Sequence, residues 1–184
     1  MEALDALINR VSCPRLEAPA PTPEQLEALL RAAVRAPDHG ALRPWRFIVA
    51  EGAGLERLGR LYAEAALQDN PELAPARHEK YCNMPLRAPM VITVVAVIRD
   101  HPKVPVSEQL VAAGCAAHGI IQAAYAQGLG AMWRTGEMAY HPHVHQGLGL
   151  GEGETIVGYI YLGQPGRERE APQLELDAFV TRWD

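Results

Sequence analysis

Apolar residues recur at helical spacing in five segments of the chain. The clearest segment begins at Thr22, where Thr-Pro-Glu-Gln forms a capping box with proline at the first helical position. Apolar residues then form one helical stripe over residues 26–34, and Pro37 disfavours helical geometry at the residue before it, so the helix should end near Ala36. The same spacing predicts helices over residues 2–9, 55–67, 110–126 and 142–148.

Apolar runs that are too short for helices predict strands. Residues 90–98 carry no charge, only Thr93 is polar among them, and their β-branched content favours a strand covered on both faces. Shorter strands are expected at residues 47–50 and 156–162, and in the segment that leads from the Gly128 turn to Trp133. Because helices and strands alternate, we expect a three-layer α+β protein.

Two segments need packing partners that the pattern of the chain does not by itself supply. The helix over residues 110–126 is apolar almost all round, so it requires more neighbours than one domain of this size supplies, and the core of a homodimer is the simplest answer. The tail over residues 163–184 must also pack on something to be ordered. Residues 69–89 show no clear periodicity.

Composition supports a single globular domain over residues 1–184. The chain is 48% apolar and 21% charged, whereas disordered chains combine low hydrophobicity with high net charge. A net charge of −5 without basic runs makes nucleic acid an unlikely ligand by charge alone. The segment over residues 110–126 is too short and too polar to cross a bilayer, and the N-terminus lacks the features of a secretory signal, so we expect a cytoplasmic protein without a membrane anchor.

Familiar catalytic and metal-binding motifs are missing. There is no GxGxxG after a strand, no P-loop, no GxSxG and no HExxH, and the three cysteines are scattered without a CxxC. His141, His143 and His145 have a metal-like spacing if they lie on a strand. Pro142 favours a helix start instead, so we interpret them as solvated histidines on a surface helix and predict no metal.

Three arginine-containing segments are candidates for binding. In residues 9–15, two guanidinium groups and a hydroxyl in a proline-extended passage suit a phosphate, although a solvated basic loop fits the same residues. In residues 35–45, a helix ends in Arg35 and runs into a loop with His39. That arrangement suits a binding loop, or an arginine at a helix C-terminus with a structural histidine. In residues 123–136, glycines lead to an arginine beside a tryptophan, where backbone could approach a flat ligand; a helix C-cap explains the glycines but not Arg134.

The order and spacing of three motifs resemble the FMN-dependent nitroreductase family, most closely its compact branch. The motifs are Arg10-x-Ser12, Ala36-Pro37 followed by Pro44-Trp45-x-Phe47, and the Ala-Gln-Gly-Leu-Gly-x-x-Trp stretch from Ala126 to Trp133. The resemblance implies a three-layer α/β/α sandwich with a mainly antiparallel central sheet. It also implies an intertwined homodimer with FMN at the subunit interface, two sites per dimer.

The same resemblance implies the site residues. FMN would be held by Arg10, Val11, Ser12, Arg35, His39, Trp133, Arg134 and Thr135, and NADH or NADPH by Ala123, Ala124, Tyr125, Ala126, Gln127 and Gly128. Arg10, Arg15 and Arg134 are candidates for a cation near flavin N1.

The chain departs from the family pattern at several positions. Val11 interrupts the family's doubled arginine, and Pro14 stands where a basic residue is usual. Ala41 and Arg43 replace an asparagine and a glutamine. The family's flavin contacts therefore cannot all be transferred to this chain.

The implied activity is FMN-dependent oxidation of NAD(P)H with ping-pong reduction of nitroaromatics, quinones or similar flat electrophiles. No catalytic side chain is assigned, because the flavin itself carries out the redox step. One alternative is a flavin enzyme that dehydrogenates one specific metabolite or removes a substituent from it. Others are a non-catalytic flavin-binding redox module and a flavin-free interaction protein.

Overall fold

The computed structural model describes residues 2–167 and 170–183. Its helices are α1 (Ala3–Asn9), α2 (Pro23–Ala33), α3 (Ala53–Asp69), α4 (Pro75–Asn83), α5 (Val106–Ala126) and α6 (Pro142–Gly147). Its strands are β1 (Leu16–Glu17), β2 (Trp45–Glu51), β3 (Met90–Val97), β4 (Gly130–Arg134) and β5 (Glu154–Pro165). Short 3₁₀ turns lie at His39–Ala41, Pro85–Arg87, Glu137–Ala139 and Leu176–Ala178.

One antiparallel sheet organises the chain. The strand order is β1-β5-β3-β2, and β4 also pairs with β5. β5 is therefore the common partner: Leu162 lies opposite both Met90 of β3 and Ala131 of β4. The sheet brings the end of β5 to the N-terminal segment, because Pro165 pairs with Leu16.

Helices cover both faces of the sheet. On one face, α2 and α5 pack on the apolar side chains of β3 and β5, with Leu29, Ile120 and Ile160 fully buried. On the other face, α3 packs through Leu58 and Tyr62. The expected three-layer α+β arrangement with an antiparallel sheet is confirmed.

The capping box at the start of α2 is present as predicted. Thr22 Oγ1 accepts from the Gln25 backbone N–H at 3.2 Å, and Gln25 Oε1 accepts from the Thr22 N–H at 3.0 Å. The prediction missed α4, because none of its nine residues is buried and no apolar stripe marks it. It also missed the two-residue strand β1, whose backbone pairs with β5 only through the tertiary fold.

Ten of the large apolar side chains that remain exposed lie in three segments. They are Leu4, Leu7 and Ile8 of α1, Val106 and Val111 of α5, and Leu174, Leu176, Phe179, Val180 and Trp183 of the C-terminal arm, which we define as residues 170–183. The Trp183 side chain is 99% exposed, so its own chain does not cover it. None of the helices in the described ranges has the length and hydropathy needed to cross a membrane.

Candidate functional site

Two adjoining cavities lie where the segment after α1 meets the end of α5. The larger, about 430 Å³, is lined by Val11, Ser12, Cys13, Tyr125, Gly128, Leu129, Gly130, Pro165, Arg167 and Glu170. The smaller, about 390 Å³, is lined by Arg10, Val11, Ser12, Glu170 and Pro172. Because both contain Val11 and Ser12, we treat them as one cleft, called the N-terminal cleft below.

Backbone contacts fix the shape of the N-terminal cleft. The Cys13 N–H donates to the Ala131 carbonyl at 2.8 Å, which ties the segment after α1 to β4. Gly130 allows this close approach, since a Cβ there would lie 2.6 Å from a methyl carbon of Leu16. Gly128 has a φ of +75° and ends α5 beside the cleft, as glycine commonly does after a helix.

Guanidinium groups dominate the charge around the N-terminal cleft. Arg10, which is half-buried, lines the smaller cavity, and Arg167 lines the larger one. Arg15 and Arg167 together line a third, adjacent cavity of about 380 Å³. Glu170 is the acidic residue lining both parts of the cleft within the described ranges. Such a set of forked donors suits a phosphate group.

His39 lies at the far end of α5 from this cleft. Its Nδ1 is 2.6 Å from a carboxylate oxygen of Glu108 in the first turn of α5, whereas Tyr125 near the last turn lines the cleft. Seventeen residues of helix separate these positions, which at 1.5 Å per residue is about 25 Å. Arg35, just beyond α2, is exposed and lines neither part of the cleft. A single chain therefore does not bring His39 to Arg10 and Ser12.

The side chains of Trp133 and Arg134 point to opposite faces of the sheet, because consecutive strand residues alternate. Trp133 packs in the core on the α5 face, where Gly158 leaves room for its indole nitrogen. The guanidinium carbon of Arg134 lies 5.6 Å from the centre of the Tyr161 ring on the other face. Thr135 is exposed, and none of these three residues lines the N-terminal cleft.

Arg134 has an unsatisfied donor. Its Nε is buried and has no hydrogen-bond partner among the described residues. Burial raises the pKa of the neighbouring Tyr161, and the Arg134 charge opposes that shift. A buried arginine donor without an acceptor is costly, which sets Arg134 apart from the exposed arginines of the chain.

Of the six residues at the end of α5, two line the N-terminal cleft. They are Tyr125 and Gly128. Ala124 is fully buried in the core, and Gln127 donates back to the Ala123 carbonyl at 3.1 Å. Ala126 is exposed outside the cleft.

The sequence reasoning missed Arg167, Glu170 and Pro172. Arg167 follows a Pro-Gly pair just after the last strand, a signal that predicts a turn but not its neighbours. Only the pairing of Leu16 with Pro165 places this segment beside Ser12.

The histidines at 141, 143 and 145 lie at the start of helix α6, as the preferred interpretation predicted, but they are not merely solvated. His141 and His143 contact Asp69 and Glu64 of α3 at 3.3 and 3.1 Å, and His145 contacts the Ala139 carbonyl at 2.8 Å. No metal-binding group of three or more such side chains occurs within the described part of the chain.

A further cavity, of about 500 Å³, lies between β2, α3 and α6. Ile48, Leu61 and Leu148 are among the residues that line it. None of the predicted site residues lines it. We therefore assign the candidate functional site to the N-terminal cleft, although each of its two cavities is smaller than this one.

Comparison with known proteins identifies the family. The nitroreductase family model matches residues 7–164. An Escherichia coli (strain K12) protein named "Putative NAD(P)H nitroreductase YdjA" is 46% identical over 168 residues, covering 90% of this chain and 89% of that protein.

Solved structures agree in fold. A nitroreductase-like family protein from Bacillus cereus superimposes with a TM-score of 0.84 at 21% identity, covering 100% of this chain and 97% of the other. A nitroreductase with bound FMN from Bacteroides fragilis gives a TM-score of 0.77 at 22% identity, covering 100% of both chains. The resemblance of the sequence motifs is thus confirmed, and the chain belongs to the nitroreductase family of oxidoreductases.

Proposed function

We propose that the protein is an FMN-dependent NAD(P)H oxidoreductase that reduces nitroaromatics, quinones or similar flat electrophiles. The N-terminal cleft is the observation that carries the proposal, because Arg10 and Arg167 line it together with Ser12. The name of the Escherichia coli relative supports NAD(P)H as electron donor, and the FMN bound in the Bacteroides fragilis structure supports the cofactor.

The donor set fits a flavin phosphate. Arg10, Arg167 and the Ser12 hydroxyl offer charged and neutral donors, and Val11 and Ser12 line both parts of the cleft. Tyr125 and Gly128, of the six residues assigned to NAD(P)H, line the larger cavity and are best placed to contact a nicotinamide substrate.

A second copy of the chain would complete the site. Because His39 and Arg10 are separated by most of the length of α5, we propose that Arg35 and His39 reach the flavin bound at the cleft of the partner. Trp133 supports the core beneath β4, and we propose that the Arg134–Thr135 segment, which lines neither part of the cleft in a single chain, contacts the flavin through its backbone.

Exposed apolar surface supports an intertwined homodimer. The α1 side chains Leu4, Leu7 and Ile8 are 57–70% exposed, and Val111 of α5 is 66% exposed. The C-terminal arm ends in an uncovered tryptophan. An obligate dimer should bury more than about 2,000 Å². Light scattering should therefore show a dimer, and removal of residues 173–184 should weaken it.

When bound, FMN accepts a hydride from NAD(P)H and passes electrons to the second substrate. The chain positions the reactants and supplies charge. Arg10, Arg15 and Arg134 are the candidates to stabilise negative charge that develops on the ring during reduction. Protons come from water, and no nucleophilic side chain is required. Both substrates use one pocket in turn, which gives ping-pong kinetics.

Absorbance spectroscopy of the purified protein, followed by anaerobic titration with NADPH, tests this proposal. We expect a flavin spectrum that bleaches at one NADPH per FMN, and parallel double-reciprocal lines with menadione or nitrofurazone as acceptor. Protein that stays colourless after addition of FMN would refute the proposal. Bound FMN without NADPH or NADH oxidation would instead indicate a non-catalytic flavin module.

A further inference from the structure

A hydrogen bond joins α4 to the turn that follows β4. The Tyr81 hydroxyl donates to Oε1 of Glu137 at 2.6 Å, across 56 residues of sequence. Hydrogen bonds to a carboxylate are shorter and stronger than neutral ones, and this one raises the pKa of Tyr81. Tyr81 therefore stays protonated and able to donate throughout the neutral range.

Glu137 lies two residues after Thr135, on the far side of Gly136. Gly136 has a φ of +79°, and a Cβ there would meet no neighbour within 4 Å, so this turn is not held by packing at its apex. The buried side of the turn is held by Tyr159, whose hydroxyl donates to the Met138 carbonyl at 3.0 Å. On the outer side of the turn, Glu137 accepts a hydrogen bond from the Tyr81 side chain of α4.

α4 packs along α3, although none of its residues is fully buried. The Cys82 carbonyl approaches Gly59 of α3, and the Tyr81 side chain packs partly against the core on that face of the sheet. The bond between Tyr81 and Glu137 therefore links α4 to the outer side of a turn whose inner side is held by Tyr159.

We propose that Tyr81 is a positioning residue for the flavin: through Glu137 it holds the Thr135–Gly136 backbone in the geometry that contacts the cofactor. This inference rests on the proposed function, since it assumes that the Arg134–Thr135 segment faces FMN. Tyr81 does not touch the reacting atoms. It acts by limiting the conformations of the turn before the ligand arrives, which preserves affinity.

The test is fluorescence titration of the apoprotein with FMN, together with thermal unfolding of each apoprotein. We expect Tyr81→Phe and Glu137→Leu each to weaken FMN binding about fivefold, the effect of one exposed hydrogen bond. Glu137→Gln keeps an acceptor oxygen and should stay within about twofold of the wild type. The double variant Tyr81→Phe with Glu137→Leu should bind FMN about fivefold more weakly than the wild type, and not by the product of the two single losses, because both substitutions remove the same hydrogen bond.

Tyr140→Phe is the matched control, because Tyr140 is 68% exposed and makes no side-chain hydrogen bond to the described residues. Wild-type protein that fails to bind FMN would refute the proposed function itself. FMN binding by the wild type with unchanged affinity in Tyr81→Phe would overturn only the role of Tyr81. Equal losses in Glu137→Leu and Glu137→Gln, or losses that multiply in the double variant, would also overturn it.

Discussion

Gln109 in α5 supports a loop on which half of the proposed site depends. The side chain is 1% exposed. Its Oε1 accepts from the Arg99 N–H at 2.9 Å, and its Nε2 donates to the carbonyls of Arg99 and Val104 at 2.8 and 3.2 Å. These bonds close the loop between β3 and α5. Val104 in turn packs close to Gly40, beside His39.

We expect Gln109→Leu to destabilise the protein by about 2 kcal/mol. Three hydrogen bonds at about 1 kcal/mol each are lost, and the more apolar leucine offsets about 1 kcal/mol of that through burial. For a chain of this size, 2 kcal/mol corresponds to a fall in Tm of about 4–8 °C.

Thermal unfolding at matched protein concentration measures this effect, since dimerisation would make Tm depend on concentration. Gln146→Leu is the control: Gln146 is an exposed glutamine on α6 without a side-chain hydrogen bond to the described residues. A Gln109→Leu protein that melts within 1 °C of wild type would refute the reasoning that these bonds hold the loop.

Three further predictions concern Glu154, Tyr62 and Arg35. A hydrogen bond from Arg46 at 2.6 Å lowers the pKa of Glu154 in the folded protein. The Glu154 carboxylate therefore stabilises the folded state above its ordinary pKa of 4.5, and this stabilisation is lost as pH falls through the lower pKa that Glu154 has in the folded state. The urea midpoint of Glu154→Gln should thus lie below wild type at pH 7 and converge with it below pH 4; a constant gap would contradict this. The buried Tyr62 hydroxyl lies beside the Tyr159 hydroxyl, which donates to the Met138 carbonyl, and makes no well-formed hydrogen bond within the described chain. Tyr62→Phe should therefore keep or raise Tm, and a drop of several degrees would contradict this. Arg35→Ala should reduce FMN occupancy measured by absorbance, and unchanged occupancy would exclude its proposed role.

The sequence was most informative where local pattern and tertiary contacts agree. The capping box at Thr22 and the uncharged run over residues 90–98 determine helix and strand by themselves, because each satisfies a local hydrogen-bonding or burial requirement. α4 was missed because its position depends on contacts with α3 and on the Tyr81 bond, which leave no periodic apolar stripe.

The site was less accessible from sequence than the fold. Arg10 and Ser12 are recognisable because they share a short motif, whereas Arg167 reaches the same cleft only through strand pairing some 150 residues later in the chain. Trp133 and Arg134 are adjacent in sequence, yet strand alternation separates their side chains. The sequence therefore indicated which segments contribute to the site, whereas the pairing and alternation of the strands determine which of their side chains lie close together.

The central claim is that each flavin site combines Arg10 of one copy with His39 of another. Heterodimers carrying Arg10→Gln in one chain and His39→Ala in the other, isolated with two different tags, test it directly by FMN stoichiometry and affinity. One site would then hold both defects and the other none, so we predict one FMN bound per dimer with wild-type affinity, while both parent homodimers bind weakly. Two equally weakened sites per heterodimer would show instead that each chain binds FMN on its own.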